Sequence, residues 1–334
     1  MSCDYYETVD ADWPDTSLDE DVSDVSDSSD ESDKSEGGDP ASPSDDDYAA
    51  AGGDPSTGSG HEAEEDDDGG EGEGEGEGEG EGEGEGEFDP SDYEIWVAET
   101  SSAGQEIIET DLVNEGYHVV TSVSATMLSG TITADVVIIP GGMNALDLGN
   151  NASVQTAVRS FVASGGHFIG VCGGAIAGSD ALYATAYGLE WRVDEMLGLL
   201  NVKGYDNLDW MNEYMTPSGA FYPFNTPILF SNHSIASPYE NQSLTMAYRA
   251  GPVLYKINPN DPDIDIVGTY TQNLDPSVTR YQISGEPAIV AGSYGQGRVV
   301  LFAVHPEYSA PETPGVDDVD FLLSNALQWA LMLP

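Results

Sequence analysis

The sequence predicts an α/β fold over residues 91–334, built on a mostly parallel sheet with helices on both faces and an antiparallel β-rich elaboration. Three features point there. Val136-Val137-Ile138-Ile139 and His167-Phe168-Ile169-Gly170-Val171 are short apolar runs that stop abruptly before glycines, as buried parallel strands do when they deliver a loop to the carboxyl edge of a sheet. Strand-like and helix-like segments alternate four times between Tyr93 and Cys172. A third apolar run, Arg298 to Val304, again ends at polar residues, His305 and Glu307.

In chain order, Tyr93 to Ala98 reads as the first strand. Ala103 to Gly116 carries Ile107, Ile108, Leu112 and Val113 at helical spacing and stops at a glycine. His118 to Val123 is a second strand, and Asp135 to Ile139 a third that closes at Pro140-Gly141-Gly142. Ser153 to Ala163, with Val154, Ala157, Val158, Phe161 and Val162, has the pattern of a helix packed on a sheet, ended by Gly165-Gly166. The next strand leads into Cys172. From Leu182 to about Ser284 the chain turns rich in Tyr, Asn and Pro, with β-like runs at Thr226 to Phe230, Leu244 to Tyr248, Val253 to Ile257 and Ile264 to Tyr270. These predict antiparallel and loop structure that elaborates the sheet, including an edge extension. Ala288 to Ser293 and Arg298 to Val304 form a hairpin around Tyr294-Gly295-Gln296-Gly297, and Val316 to Leu333 is a closing helix.

Residues 1–90 cannot contribute a core. Long Asp, Glu, Ser and Gly runs, among them the Glu-Gly repeat from Glu71 to Glu87, leave few large apolar side chains to offset the entropy of ordering, so this segment reads as a disordered acidic tail. The formal net charge is −54, and from Ser91 onward 27 acidic residues face seven basic ones. Such self-repulsion disfavours a compact state at low ionic strength and is screened within about 3 Å at 1 M salt. The acidic, lysine-poor composition is similar to that of extreme halophiles. It excludes nucleic acids and anionic membranes as partners of the surface charge, because nothing here would displace counterions from phosphates. Cys3 and Cys172 are the only cysteines. With one in the tail, no structural disulfide is expected, and a reducing, cytoplasmic location follows. The sequence shows neither a signal segment nor an apolar stretch approaching the roughly 20 residues needed to span a bilayer.

Cys172 stands in Gly170-Val171-Cys172-Gly173-Gly174, after a strand and before the small-residue run Ala175-Ile176-Ala177-Gly178. That pattern fits a strained strand-to-helix turn that lifts one side chain out of the sheet, with the sulfur at a helix amino terminus where thiolate is favoured over thiol. A buried structural cysteine is the plain alternative. A thiolate nucleophile needs a base that takes and returns a proton, and that base needs a partner to hold its tautomer. His305 suits the first role and Glu307 the second, with Pro306 stiffening the backbone between them.

The Gly-x-Cys-x-Gly elbow, the upstream Pro140-Gly141-Gly142 loop and the downstream His305-Pro306-Glu307 resemble the class I glutamine amidotransferase superfamily. More specifically, Tyr248-Arg249-Ala250-Gly251-Pro252 resembles the Tyr-x-Gly-Gly-Pro segment, and Gly297 to Glu307 the Gly-x-x-x-Leu-Phe-x-x-His-Pro-Glu ending, of the family similar to the amino-terminal domain of biotin-protein ligases. The resemblance covers roughly residues 93–334. It implies a flavodoxin-like three-layer sandwich with a nucleophile elbow. It also implies Cys172 as nucleophile, His305 as general base and acid, Glu307 as its orienting partner, and the backbone amides of Gly142 and Gly173 as oxyanion hole. Gly141, Gly251 and Pro252 would contact substrate. The implied chemistry is attack on a small carboxamide, a thioester intermediate and release of ammonia, without cofactor or metal, with any ammonia acceptor on a separate synthetase subunit. One departure bears on substrate: glutamine-hydrolysing members commonly continue the elbow into a Leu-Gly-His-Gln type helix, whereas Gly173-Gly174-Ala175-Ile176 follows here. A biotin ligase is not expected, since no basic Gly-Arg-Gly-Arg type loop occurs among the eight basic residues.

Other candidates have plainer readings. His233 fits a loop or cap better than an alternative base, and His118 and His167 open strands. Asp261-Pro262-Asp263-Ile264-Asp265 lacks the glycine and terminal glutamate of a calcium-binding loop and reads as a solvated acidic turn. Tyr205, Trp210, Tyr214, Phe221, Tyr222 and Phe224 form an aromatic-rich insert that lines the pocket or packs in the core. Three function classes compete: a cysteine amidase or amidotransferase-like hydrolase, a non-catalytic small-molecule-binding module that keeps the pocket, and a cysteine protease or deglycase. In relatives of the last kind a histidine more often follows the cysteine, where Gly173 stands here.

Overall fold

The computed structural model describes residues 88–186, 189–207, 224–274 and 282–332. The acidic tail predicted for residues 1–90, with its Glu-Gly repeat and Cys3, lies outside the described residues but for 88–90, as do Trp210, Tyr214, Phe221 and Tyr222.

The first half alternates as the sequence predicts. Strand β1 (Glu94–Ala98) leads to helix α1 (Ala103–Glu115), β2 (His118–Val123), the short α2 (Ala125–Leu128), β3 (Val136–Ile139), α3 (Asn144–Asn150), α4 (Ala152–Ala163), β4 (His167–Val171) and α5 (Gly173–Gly178). Local chemistry sets the ends. The Ser102 hydroxyl accepts from the Gln105 amide to start α1, and Gly116, at φ 98°, stops it in the left-handed conformation that glycine adopts without strain. Asn151 caps α4 by accepting from the amides of Ser153 and Val154. Every residue of β3 and β4 is buried, the continuous apolar pattern of strands covered on both faces.

After the elbow come β5 (Ala181–Ala186), β6 (Leu189–Glu195), β7 (Val202–Asn207), β8 (Phe224–Phe230), β9 (Ser243–Tyr248), β10 (Val253–Lys256), β11 (Ile264–Tyr270), β12 (Pro287–Tyr294), β13 (Gly297–Phe302) and the closing helix α6 (Phe321–Leu331). Among the described residues the main sheet has nine strands in the order β2-β1-β3-β4-β13-β12-β11-β8-β9. From β2 to β13 neighbours run parallel; from β13 to β9 they run antiparallel. The predicted edge extension is thus β11, β8 and β9. The remaining elaboration leaves the main sheet altogether: β10-β7-β5-β6 form a separate four-stranded sheet. On the main sheet α1 and α6 meet, with Ser324 donating to Glu115 at 2.6 Å, while α2 and α3 gather around α4.

The closing helix starts at Phe321 rather than Val316. Residues 316–320 are committed elsewhere: Asp317 pairs its amide with Thr245 O and its carboxylate with the Thr245 amide, and Val319 N donates to Ser309 Oγ at 2.7 Å. Those bonds tie the segment to β9 and to the loop after His305, which takes it out of helical register.

Candidate active site

β4 delivers Cys172 to the carboxyl edge of the sheet, where its amide donates to Phe302 O on β13 at 2.7 Å. The residue itself sits at φ 52°, ψ −110°, a conformation that costs a non-glycine residue on the order of 1–3 kcal/mol. Its surroundings hold it there. Gly174 passes so close to the Ile139 carbonyl that a Cβ would collide with it, so the turn accepts only glycine at this point. The elbow expected from the sequence is present.

β13 ends at Phe302, two residues short of the predicted strand, and the chain then crosses to β9. His305 N donates to Ala247 O at 3.0 Å, forming an isolated bridge that sets the imidazole beside the cysteine. His305 Nδ1 lies 2.8 Å from Glu307 Oε1, and both side chains are almost wholly buried. A Cβ placed on Gly141 would stand 3.2 Å from both Cys172 Cβ and His305 Cε1, and 3.7 Å from Sγ. Sulfur and imidazole therefore flank one glycine, and the elbow, the Pro-Gly-Gly loop and His305-Pro306-Glu307 converge.

Burial pulls the His305 pKa down, but the charges of Glu307 and Cys172 and the hydrogen bond to Glu307 outweigh it and push it up to about 10. In this rotamer Nε2 has no hydrogen-bond partner among the described residues, and Sγ instead points at the Arg249 carbonyl, 3.7 Å away. The sulfur and the ring thus lie beside the same glycine without a direct bond between them. Glu307 is seated over Gly104 in the first turn of α1, where any Cβ would strike its carboxylate. The amino-terminal turn of a helix carries partial positive charge that favours an anion.

Gly142, at φ 111°, and Gly173 lie against one another: a Cβ on Gly173 would be 3.3 Å from the Gly142 nitrogen. Gly251 and Pro252 are drawn into the packing of their own turn, with the Tyr248 hydroxyl donating to Gly251 O at 2.7 Å and the Tyr270 hydroxyl to Pro252 O at 3.3 Å. Ala250 holds φ 59° in that turn, at the place where the resembled family segment has glycine. Burial, and secondarily the Cys172 charge, raise the Tyr270 pKa well above its ordinary value. Sequence reasoning missed Gly104, Tyr270 and the carbonyl of Arg249. A glycine in the first turn of a helix was the one available signal; the other two depend on strand pairing.

The remaining candidates fall where their plainer readings put them. His233 Nδ1 accepts from the Ile235 amide at 3.2 Å, and its ring lies 5.5 Å from that of Trp329. His118 pairs with Glu94 at the surface, and His167 Nδ1 accepts from the Arg298 amide. The Asp261 carboxylate is engaged by the Asp263 amide and by Asn201. A groove of about 440 Å³ beside Arg192 and Glu195 lies away from the cysteine, and a 180 Å³ cavity lined by Asp111, Glu115, Glu307 and Asp320 lies behind the His305–Glu307 pair.

The model of the family described as biotin-protein ligase, N terminal, matches residues 100–321. Among solved structures the chain is similar to a glutamine amidotransferase at 18% identity, covering 70% of this chain and 97% of that one with a TM-score of 0.44. It is also similar to the structure of PurLQS from Thermotoga maritima at 15% identity, covering 71% and 97%, with a TM-score of 0.45. No curated protein sequence matches it.

Proposed function

The chain belongs to the biotin-protein ligase N-terminal family, and from that premise we propose that it is a cysteine-dependent hydrolase of a small carboxamide. The observation that carries this reading is the convergence of a strained Cys172 with the buried His305–Glu307 pair on either side of Gly141. Cys172 Sγ attacks the carboxamide carbon while negative charge gathers on its oxygen. The adjacent amides of Gly142 and Gly173 receive that charge; neither has a hydrogen-bond acceptor among the described residues. His305 protonates the leaving nitrogen, the C–N bond breaks, and ammonia departs from a thioester. Water, deprotonated by His305, then cleaves the thioester to a carboxylic acid and returns the thiol. Glu307 holds the Nδ1–H and steadies the imidazolium through both steps.

In this reading the catalytic domain spans 91–334, the acidic residues 1–90 are a tail, and an acceptor for the ammonia is a separate synthetase subunit. The same reading puts the protein in the cytoplasm, on the strength of its lone core cysteine without a disulfide partner. A second reading, a binding module without turnover, draws on the near-complete burial of Cys172, which is 8% exposed. Ammonia release from glutamine, asparagine and other small amides in molar salt tests the choice. The hydrolase reading expects release that is lost in Cys172→Ala; indistinguishable proteins on every amide, with ligand-induced thermal stabilisation alone, would establish the binding module instead.

A further inference from the structure

Helix α1 opens on Ser102-Ala103-Gly104-Gln105, the Ser-x-x-Gln spacing of a capping box, in which the glutamine side chain reaches back to the serine's own amide. Only half of that box forms. Ser102 Oγ accepts from Gln105 N at 3.2 Å, but Gln105 Oε1 reaches past Ser102 and accepts from the amides of Thr100 at 2.7 Å and Ser101 at 3.0 Å. Its Nε2 donates to Glu109 Oε1 at 2.9 Å and to Ser122 Oγ at 3.2 Å, and Glu109 Oε1 also accepts from the Ser122 amide. Gln105 and Thr100 are buried, while Ser101 and Ser122 hold φ 57° and 51°, a conformation that costs a non-glycine residue about 1–2 kcal/mol. A helix cap needs none of this. One buried carboxamide holds the whole connection between β1 and α1.

That connection bears on the site from two sides. A Cβ on Gly142 would stand 3.1 Å from Thr100 O, 3.4 Å from Ser102 Cβ and 3.6 Å from Thr100 Cβ, so the Gly142 turn rests directly on the segment that Gln105 holds. One residue before Gln105, Gly104 seats the Glu307 carboxylate. Gly142, at φ 111°, has no side chain to anchor it, and its place is set by what it lies against. An oxyanion is stabilised only by donors about 2.7–3.1 Å from where its charge develops, so small shifts of that turn matter.

We propose that Gln105 is a positioning residue for the oxyanion hole: its carboxamide holds Thr100 and Ser101 against Gly142 and so aims the Gly142 amide at the developing charge. The proposal rests on the hydrolase reading, with Gly142 in that role. Two reagents at one thiol test it. p-Nitrophenyl acetate acylates Cys172 by attack of sulfur on the ester carbonyl, through an oxyanion, with a thioester formed and p-nitrophenolate leaving. Iodoacetamide alkylates the same sulfur by displacement of iodide at a saturated carbon, where no oxyanion forms. The ratio of the two rate constants, with the Cys172→Ala background subtracted to remove Cys3, therefore reports the oxyanion hole and not the reactivity or access of the thiol. In Gln105→Met, which keeps the volume and loses the acceptor, the ratio falls about tenfold, less than the roughly 10²–10³-fold that removing a donor outright costs. Gln105→Glu, which keeps an acceptor for both amides, retains most of it. An unchanged ratio in Gln105→Met overturns the proposal, as does an equal fall in Gln105→Glu, which marks a packing role. If the methionine protein does not fold, Gln105→Asn, one methylene too short to reach both amides, must show the same fall, and an unchanged ratio there overturns the proposal as well. Native protein that p-nitrophenyl acetate does not acylate at Cys172 ends the hydrolase reading and this inference with it. Native protein that is acylated there, with no change of ratio in the variants, ends the inference alone.

Discussion

Gly141→Ala drives a single methyl group between the sulfur and the imidazole. The added carbon would lie 3.2 Å from Cys172 Cβ and from His305 Cε1, against a preferred carbon–carbon separation of about 3.5–4.0 Å. Each neighbour must therefore yield by roughly half an ångström, in opposite directions, so the pair opens by up to about 1 Å. Displacements of that size cost catalysis up to about 10²-fold, while overpacking of this kind costs about 1–3 kcal/mol of stability. Backbone strain adds nothing, because Gly141 is not among the positive-φ glycines. The assay is the rate of Cys172 alkylation by iodoacetamide, together with ammonia release and a calorimetric melt. Gly285→Ala is the control: its φ of 91° makes any side chain unfavourable by about 1 kcal/mol, but a Cβ there meets nothing within 4 Å, so stability falls while the thiol reacts as before. A Gly141→Ala protein that melts normally and reacts at the native rate would refute the geometry on which the catalytic reading stands.

Two further predictions concern charge. Glu307→Gln removes the largest influence that raises the His305 pKa, so the proton leaves the ring at a pH well below about 10, read from the Cε1 chemical shift of ¹³C-labelled histidine; no movement would mean that Glu307 does not govern the ring. Asp111 is pushed up to about 6 by burial first and then by Asp320, Glu115, Glu307 and Glu312. The folded state therefore favours its protonated form: this contribution to stability is complete below pH 3.8, the unfolded value, and lost as pH rises through about 6. Asp111→Asn should raise Tm at pH 8 and leave it unchanged near pH 3 at constant ionic strength, and equal melting curves at both pH values would contradict it.

Local chemistry written along the chain was enough for most elements and for the residue types gathered at the candidate site. The buried strands β3 and β4 declare themselves because, His167 apart, they hold only apolar residues and glycine and are followed closely by glycines; α1 and α4 follow from their spacing and caps. Cys172, His305 and Glu307 were recognisable because a strand end followed by a polar residue is a short-range pattern. Long-range pairing decided the rest. Nothing in β5, β6, β7 and β10 distinguishes a strand that joins the main sheet from one that leaves it, since both bury one face and hydrogen-bond alike. The start of α6 moved from Val316 to Phe321 because Thr245 and Ser309, distant in sequence, claim its backbone amides. The same holds at the site: the bridge from His305 to Ala247 and the carbonyl of Arg249 over the sulfur exist only once β9 lies along the sheet edge. Residue types announce which reactions are chemically available, but the distances that permit a proton to pass belong to strand order, which no local periodicity encodes.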